Sequence, residues 1–233
     1  MSDVSCRFTV KFARDLLVKV ALATTVAACG GGGGGGSSQG SGDYGVRVLH
    51  AAIDATPVDV LSTASGSAVR SQAVFAGNLG YGAVPKVAQT ITLTRAFTPS
   101  VVLDTFDITV TSKERYSILF YGDNHTFGLR TRLIEDKVPE TISGSAVRVV
   151  HGATRAAGLS ASIGGTPTDT IAFGENSPYV PAPVGQVTIT AARASDGAVV
   201  ASLPATLAAG KAYTFLVAGE VGYYVKGILF EDS

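Results

Sequence analysis

Two histidines and two aspartates are the residues of this sequence whose types and spacing could support acid–base chemistry. His50 ends an apolar stretch that Asp54 and Asp59 follow, and His151 ends a matching stretch later in the chain. A histidine paired with a carboxylate can exchange protons with a substrate. One alternative is therefore a periplasmic or extracellular hydrolase that uses His50 with Asp54 or Asp59. The other alternative is structural, with each histidine bonding to loop backbone and holding the first turn. The structural alternative is favoured because no matching aspartates follow His151.

No other pattern in the sequence indicates a catalytic or metal site. A mononuclear metal site normally needs three or more converging protein ligands, and the third histidine, His125, lies in a predicted solvated hairpin loop. The G-x-S-x-G match at Gly36–Gly40 lacks the strand and helix that a nucleophile elbow requires. We therefore expect no enzymatic activity, no metal and no cofactor.

The first 28 residues are typical of an export signal. An apolar run of nine residues, Val20–Ala28, follows a basic stretch. Since about 20 apolar residues are needed to span a bilayer as a helix, a signal peptide is favoured over a membrane span. The run ends in Val26-Ala27-Ala28-Cys29, which resembles a bacterial lipobox, and this resemblance implies cleavage before Cys29 and lipid attachment to its sulfur.

A glycine-rich tether is predicted over residues 29–43. Gly30–Gly36 are seven consecutive glycines, and serine, glycine and glutamine continue the low-complexity stretch. A coil of this kind reaches about 20 Å over 14 residues, enough to hold a folded domain off a bilayer. Glycine rather than aspartate after Cys29 resembles the outer-membrane sorting pattern. The sequence thus predicts a lipid-anchored protein of the cell envelope at the outer membrane, with the face of that membrane left open.

Composition excludes two further classes of protein. Lys plus Arg and Asp plus Glu number 18 each, so the net charge is zero and a nucleic-acid partner is not expected. Hydrophobic residues make up 46% and charged residues 15%, which is too apolar for a disordered chain.

An internal repeat determines the predicted architecture. Four segments recur in the same order about 100 residues apart, as tandem duplication predicts. They are Val46–Ala52 with Val147–Ala153, Tyr81 with Tyr179, Tyr116–Gly122 with Tyr213–Gly219, and Leu133–Asp136 with Leu229–Asp232. The predicted domains are a first repeat at 44–138, a linker at 139–145 and a second repeat at 146–233.

Each repeat is predicted to contain seven short strands. Thr90–Thr94 alternates apolar and polar residues, and turn residues such as Asp196-Gly197 separate the stretches. This pattern favours an all-β fold of two tandem immunoglobulin-like β-sandwiches. The predicted strands are 45–50, 58–62, 68–75, 88–95, 101–110, 115–122 and 128–136, then 146–152, 159–163, 168–173, 186–192, 199–207, 212–218 and 223–231.

Several of these segments resemble the bacterial domain of unknown function 4397 (DUF4397) family. The resemblance covers nearly all of residues 44–233, twice, and implies a fold family and an envelope location but no activity. The second repeat departs from the opening motif, since His151 is not followed by the aspartates. The segments are Val46–Ala51 with Asp54 and Pro57–Val60, Tyr81 and Tyr179 with their Val-Pro pairs, Leu207–Thr214, Asp136 and Asp232.

The expected role is that of a binding or structural module. Its partners would be the membrane, through the lipid anchor, and an envelope protein or polysaccharide, contacted through loops at 53–57 and 123–127. A carbohydrate-binding module remains an alternative, although the chain has no tryptophan to form a sugar platform. The tyrosines available for such a platform are Tyr81, Tyr121, Tyr179, Tyr223 and Tyr224.

Overall fold

Strands account for all the regular structure in the computed structural model, which describes residues 45–233. The predicted signal peptide, Cys29 and the tether lie outside the described residues. The strands are β1 (Gly45–His50), β2 (Val58–Ser62), β3 (Ser67–Ala73), β4 (Ala88–Arg95), β5 (Thr98–Thr109), β6 (Arg115–Tyr121), β7 (Arg130–Glu135), β8 (Ser145–Thr154), β9 (Gly158–Ile163), β10 (Thr166–Pro167), β11 (Ile171–Ala172), β12 (Val180–Ala182), β13 (Gly185–Arg193), β14 (Val199–Leu207), β15 (Lys211–Glu220) and β16 (Tyr224–Glu231).

The first repeat is a sandwich of two sheets. One has the strand order β1-β6-β7, with β1 parallel to β6, and the other has the order β3-β2-β4-β5. Val48 of β1, Val60 of β2 and Ile91 of β4 belong to one buried cluster between the sheets. The alternation predicted for β4 is present over residues 90–93, because Ile91 and Leu93 are buried while Thr90 and Thr92 are partly exposed, but Thr94 is also buried.

The second repeat has the same plan. Its sheets have the orders β12-β8-β15-β16 and β10-β9-β13-β14, with β11 beside β9, and β8 runs parallel to β15. Val149, Leu159, Ile189 and Phe215 lie in the core between the two sheets.

A third apolar core joins the repeats. Leu49 and Leu119 of the first repeat pack with Val150, Leu216 and Phe230 of the second. The β1-β6-β7 and β8-β15-β16 sheets are therefore covered on both faces, which explains why every residue of β1 and β8 is buried. The sheets approach so closely that a Cβ atom added to Gly152 would overlap the Cβ of Ala51.

The predicted all-β sandwich fold is confirmed, but its immunoglobulin-like detail is not. In the immunoglobulin fold the second strand lies next to the fifth, whereas here β2 lies between β3 and β4. Three features of the second repeat also differ from the predicted strands. The stretch 168–173 contains only the two-residue strand β11, and the predicted strands do not include β10, which pairs with β9, or β12, which pairs with β8.

Corresponding strands of the two repeats run in the same direction. Because β1 is parallel to β6 and β8 is parallel to β15, the carboxyl ends of each pair lie side by side. The Gly219 amide donates a hydrogen bond of 3.0 Å to the Ala51 carbonyl, which brings both pairs to one end of the molecule, the loop end. At the opposite terminal end, the Gly45 amide bonds to the Glu114 carbonyl and the Arg115 guanidinium to the Asp232 carbonyl.

Candidate functional site

The two repeated histidines bind loop backbone at the loop end. His50 Nε2 lies 3.3 Å from the Thr56 carbonyl oxygen, and His151 Nε2 lies 2.9 Å from that of Ala156. Each ring is buried and meets a phenylalanine edge-on, Phe120 at 4.9 Å and Phe173 at 5.6 Å between centroids. Burial lowers the pKa of both imidazoles, that of His151 to about 4. Both rings are therefore neutral at pH 7 and close the loop that follows their strand.

The two aspartates near His50 have other partners. Asp54 accepts a hydrogen bond of 2.9 Å from the Asn124 amide, and its carboxylate lies 3.6 Å from His125 Nε2. Asp59 accepts one of 2.7 Å from the amide of Gln72, in a bulge of β3. Within residues 45–233 no hydrogen bond or ion pair joins His50 to either carboxylate. The structure does not bring together the acid–base pair that the hydrolase alternative needs.

The β6–β7 hairpin is held by its own aspartate. Asp123 Oδ1 accepts hydrogen bonds from the amides of His125 at 2.9 Å and Phe127 at 3.1 Å, and from that of Thr126. Burial acts to raise the pKa of this carboxyl, but these bonds outweigh it and the net shift is downward. Nowhere in the described part of the chain do three or more His, Cys, Asp or Glu side chains converge as a metal site would require.

A buried charged network lies between the two repeats, and sequence reasoning missed it. Arg47 Nη1 of the first repeat lies 2.7 Å from Asp232 Oδ1 of the second, and Arg148 of the second repeat pairs with Asp136 of the first. A longer contact of 3.9 Å joins Arg47 to Asp136. All four side chains are at least 98% buried, so each repeat supplies the counter-ion for the other.

Hydroxyl groups complete this network in matching positions. Arg47 Nε donates to Ser117 Oγ at 2.8 Å, and Arg148 Nε donates to Thr214 Oγ1 at 2.8 Å. The guanidinium of Arg47 also lies 4.4 Å from the centroid of the Tyr81 ring. The Asp136 carboxylate accepts hydrogen bonds from the hydroxyl groups of Ser117 at 2.6 Å and Tyr81 at 2.7 Å. The Asp232 carboxylate accepts the matching bonds from Thr214 at 2.6 Å and Tyr179 at 2.7 Å.

The electrostatics of the network keep its arginines charged. Burial alone would lower the pKa of Arg47, but the nearby Asp232 carboxylate and the other acidic groups raise it above the ordinary value. Burial raises the pKa of the Tyr81 and Tyr179 phenols, so both donate as neutral hydroxyls. A buried ion pair contributes little net stability, but removal of one partner is costly. The network thus makes the two repeats depend on each other.

The signal for this network was present in the repeat itself. Arg47 and Arg148 occupy the same place in otherwise apolar strands, and Asp136 and Asp232 end the matching closing strands. A charged residue inside a strand buried on both faces requires a partner. The sequence does not show that the partner comes from the other repeat.

The tyrosines predicted for a sugar platform separate into two sets. Tyr81 and Tyr121 are buried, and Tyr179 is bonded to Asp232. Tyr223 is 78% exposed and Tyr224 50% exposed at the turn between β15 and β16. Of these five tyrosines, only Tyr223 and Tyr224 present large aromatic surfaces to solvent.

Fold and network together define an all-β protein of two mutually dependent sandwich repeats. The chain belongs to the family described as domain of unknown function (DUF4397), whose model matches residues 45–162 and 145–233. This confirms the predicted tandem resemblance. No curated protein matches the chain. Among the described residues no helix is long and apolar enough to cross a membrane.

Proposed function

We propose that this protein is a lipid-anchored cell-envelope module that binds an envelope component and has no catalytic role. The observation that carries the proposal is the lipobox-like Val26–Cys29, which seven glycines and a short low-complexity stretch connect to the double repeat. Acylation at Cys29 would supply the membrane attachment, and stable attachment requires more than one acyl chain.

The geometry of the repeats supports this role. Gly45, where the predicted tether joins, lies at the terminal end, and the loops after β1, β6, β8 and β15 lie at the loop end. A tethered domain built this way has its loops at the end remote from the attachment point. The covalent link between repeats and the buried ion pairs between them would hold these loops in one fixed arrangement.

The first experiment is the intact mass of the N-terminal peptide recovered from the membrane fraction. The proposal predicts a peptide that begins at Cys29 and carries acyl chains, and it predicts that Cys29→Ser yields no acylated N-terminal peptide. An unmodified N-terminus near Gly30, or a retained leader, would refute the anchor.

Partner binding is tested separately by cross-linking in intact cells. Asp54 and Asn124 tie the loops at 53–57 and 123–127 together, so alanine at either residue is expected to weaken capture of a partner bound there. Glu140→Ala, in the linker at the terminal end, is the control. Undiminished capture by both loop variants would exclude these loops as the contact surface.

A further inference from the structure

An open groove lies at the loop end of the second repeat. It has a volume of about 330 Å³ and lies between β14 and β16. Each of these is the last strand of its sheet, so backbone donors and acceptors face the groove without a neighbouring strand. The residues that line it are Arg193, Ala198–Val200 and Val221–Val225.

Two adjacent tyrosines form one wall of this groove. Tyr223 has 78% of its surface exposed, and Val199 across the groove has 63%. Tyr224 is half exposed, and its ring is held against Phe75 of the first repeat, with 6.2 Å between centroids. Gly222, with φ +89°, provides the left-handed turn residue just before them. The contact with Phe75 thus holds the Tyr224 ring in place, and the turn leaves the Tyr223 ring exposed to solvent.

Arg193, the charged residue that lines the groove, is held in an ion pair. Arg193 Nη2 lies 2.6 Å from Asp196 Oδ2, and Arg193 Nε donates to Asp196 Oδ1 at 3.2 Å. Asp196 also accepts a hydrogen bond of 3.1 Å from the Ala198 amide, which fixes the carboxylate. Both charged groups remain over a third exposed. The groove therefore has a guanidinium held in place beside the aromatic wall, with its carboxylate partner next to it.

We propose that this groove binds a saccharide chain of the cell envelope. A sugar ring has an apolar C–H face that packs on an aromatic ring, and hydroxyl groups at its edge that pair with planar arginine and carboxylate groups. The groove supplies both surfaces at adjacent positions, and its volume lies in the range of small-ligand sites, roughly 300–1,000 Å³. Its place at the loop end, away from Gly45, favours a glycan over the anchoring bilayer. The inference rests on the proposed binding role and names the ligand class.

The test uses the full-length protein in detergent on an array of bacterial surface glycans and soluble peptidoglycan fragments. Any glycan retained is then titrated by calorimetry. Tyr223→Ala is expected to weaken binding by roughly tenfold or more, and Tyr223→Phe to retain most of it because the ring remains. Phe97→Ala is the matched control, since Phe97 is an equally exposed aromatic residue (77%) outside the groove. It is expected to change the affinity by less than twofold.

Three results would overturn the inference. Glycan binding that Tyr223→Ala leaves unchanged would place the ligand elsewhere. No retention of any glycan would exclude the ligand class, while the anchor and the cross-linked partner would still be judged by their own experiments. Sedimentation of full-length Cys29→Ser protein with phospholipid vesicles, abolished by Tyr223→Ala, would identify the surface as a membrane contact instead.

Discussion

The β6–β7 and β15–β16 hairpins occupy equivalent places in the two repeats but differ in what holds them. Both begin at a glycine of positive φ, Gly122 at +99° and Gly219 at +109°, where a Cβ would overlap the carbonyl oxygen across the hairpin. The first hairpin is held by the Asp123 carboxylate and bonded to Asp54. The second presents Tyr223 and Tyr224 to solvent. The two hairpins thus share the glycine at their start but differ in the length and surface chemistry of the turn.

The interior shows the opposite pattern, because the polar residues between the repeats match in pairs. Arg47 corresponds to Arg148, and Asp136 to Asp232, and each arginine pairs across the interface. A substitution at one of these sites leaves a buried charge without its partner, whereas a change at a hairpin tip removes at most a few partly exposed contacts. Interior and hairpin residues are therefore expected to respond very differently to mutation.

Loss of one buried arginine is expected to have the largest effect. Arg47→Met leaves the Asp232 carboxylate buried without its counter-ion, which should lower the free energy of unfolding by about 3–5 kcal/mol. Arg148→Met should cost a similar amount, because it occupies the matching position. Urea denaturation followed by circular dichroism measures both.

Arg193→Met is the control for these variants. It breaks an exposed pair, for which about 0–1 kcal/mol is expected. Equal costs for Arg47→Met and Arg193→Met would contradict the claim that the network holds the repeats together.

The second largest effect concerns pH. Because the pKa of His151 is about 4 when folded and 6.5 in the reference state, the unfolded chain takes up a proton first as the pH falls. The contribution of this group is intact above pH 6.5 and is lost as the pH falls towards 4, by about 3 kcal/mol. His151→Gln should be less stable at pH 7 but should lose less stability between pH 7 and pH 4. Parallel curves for the two proteins would show that His151 does not carry this dependence.

The strands were predictable from sequence, because one-sided burial imposes alternation and turn residues separate the stretches. β4 shows this in Ile91 and Leu93. The strand order was not predictable, since a parallel pair such as β1 with β6 leaves no local mark in either strand. The same limit applies to the network and the groove. Arg47 meets Asp232, and Tyr224 meets Phe75, across the repeat interface, which no pattern within one repeat specifies.

A smaller effect is expected where the first hairpin meets the loop after β1. Asn124→Ala removes the side-chain hydrogen bond of 2.9 Å to the Asp54 carbonyl but leaves the amide bond to the carboxylate. The expected cost is about 0.5–1.5 kcal/mol, with faster hydrogen exchange in residues 123–127. Exchange rates equal to those of the unchanged protein would indicate that the Asn124 side chain does not help to hold the hairpin.

The smallest effect is expected at the tip of the second hairpin. Tyr223→Ala removes a ring that is mostly in solvent, so the free energy of unfolding should change by no more than about 0.5 kcal/mol. Side-by-side urea curves for Tyr223→Ala and Asn124→Ala measure the contrast between the two hairpins directly. A cost for Tyr223→Ala as large as that for Asn124→Ala would mean that this ring supports the fold, and its exposure would then no longer indicate a binding surface.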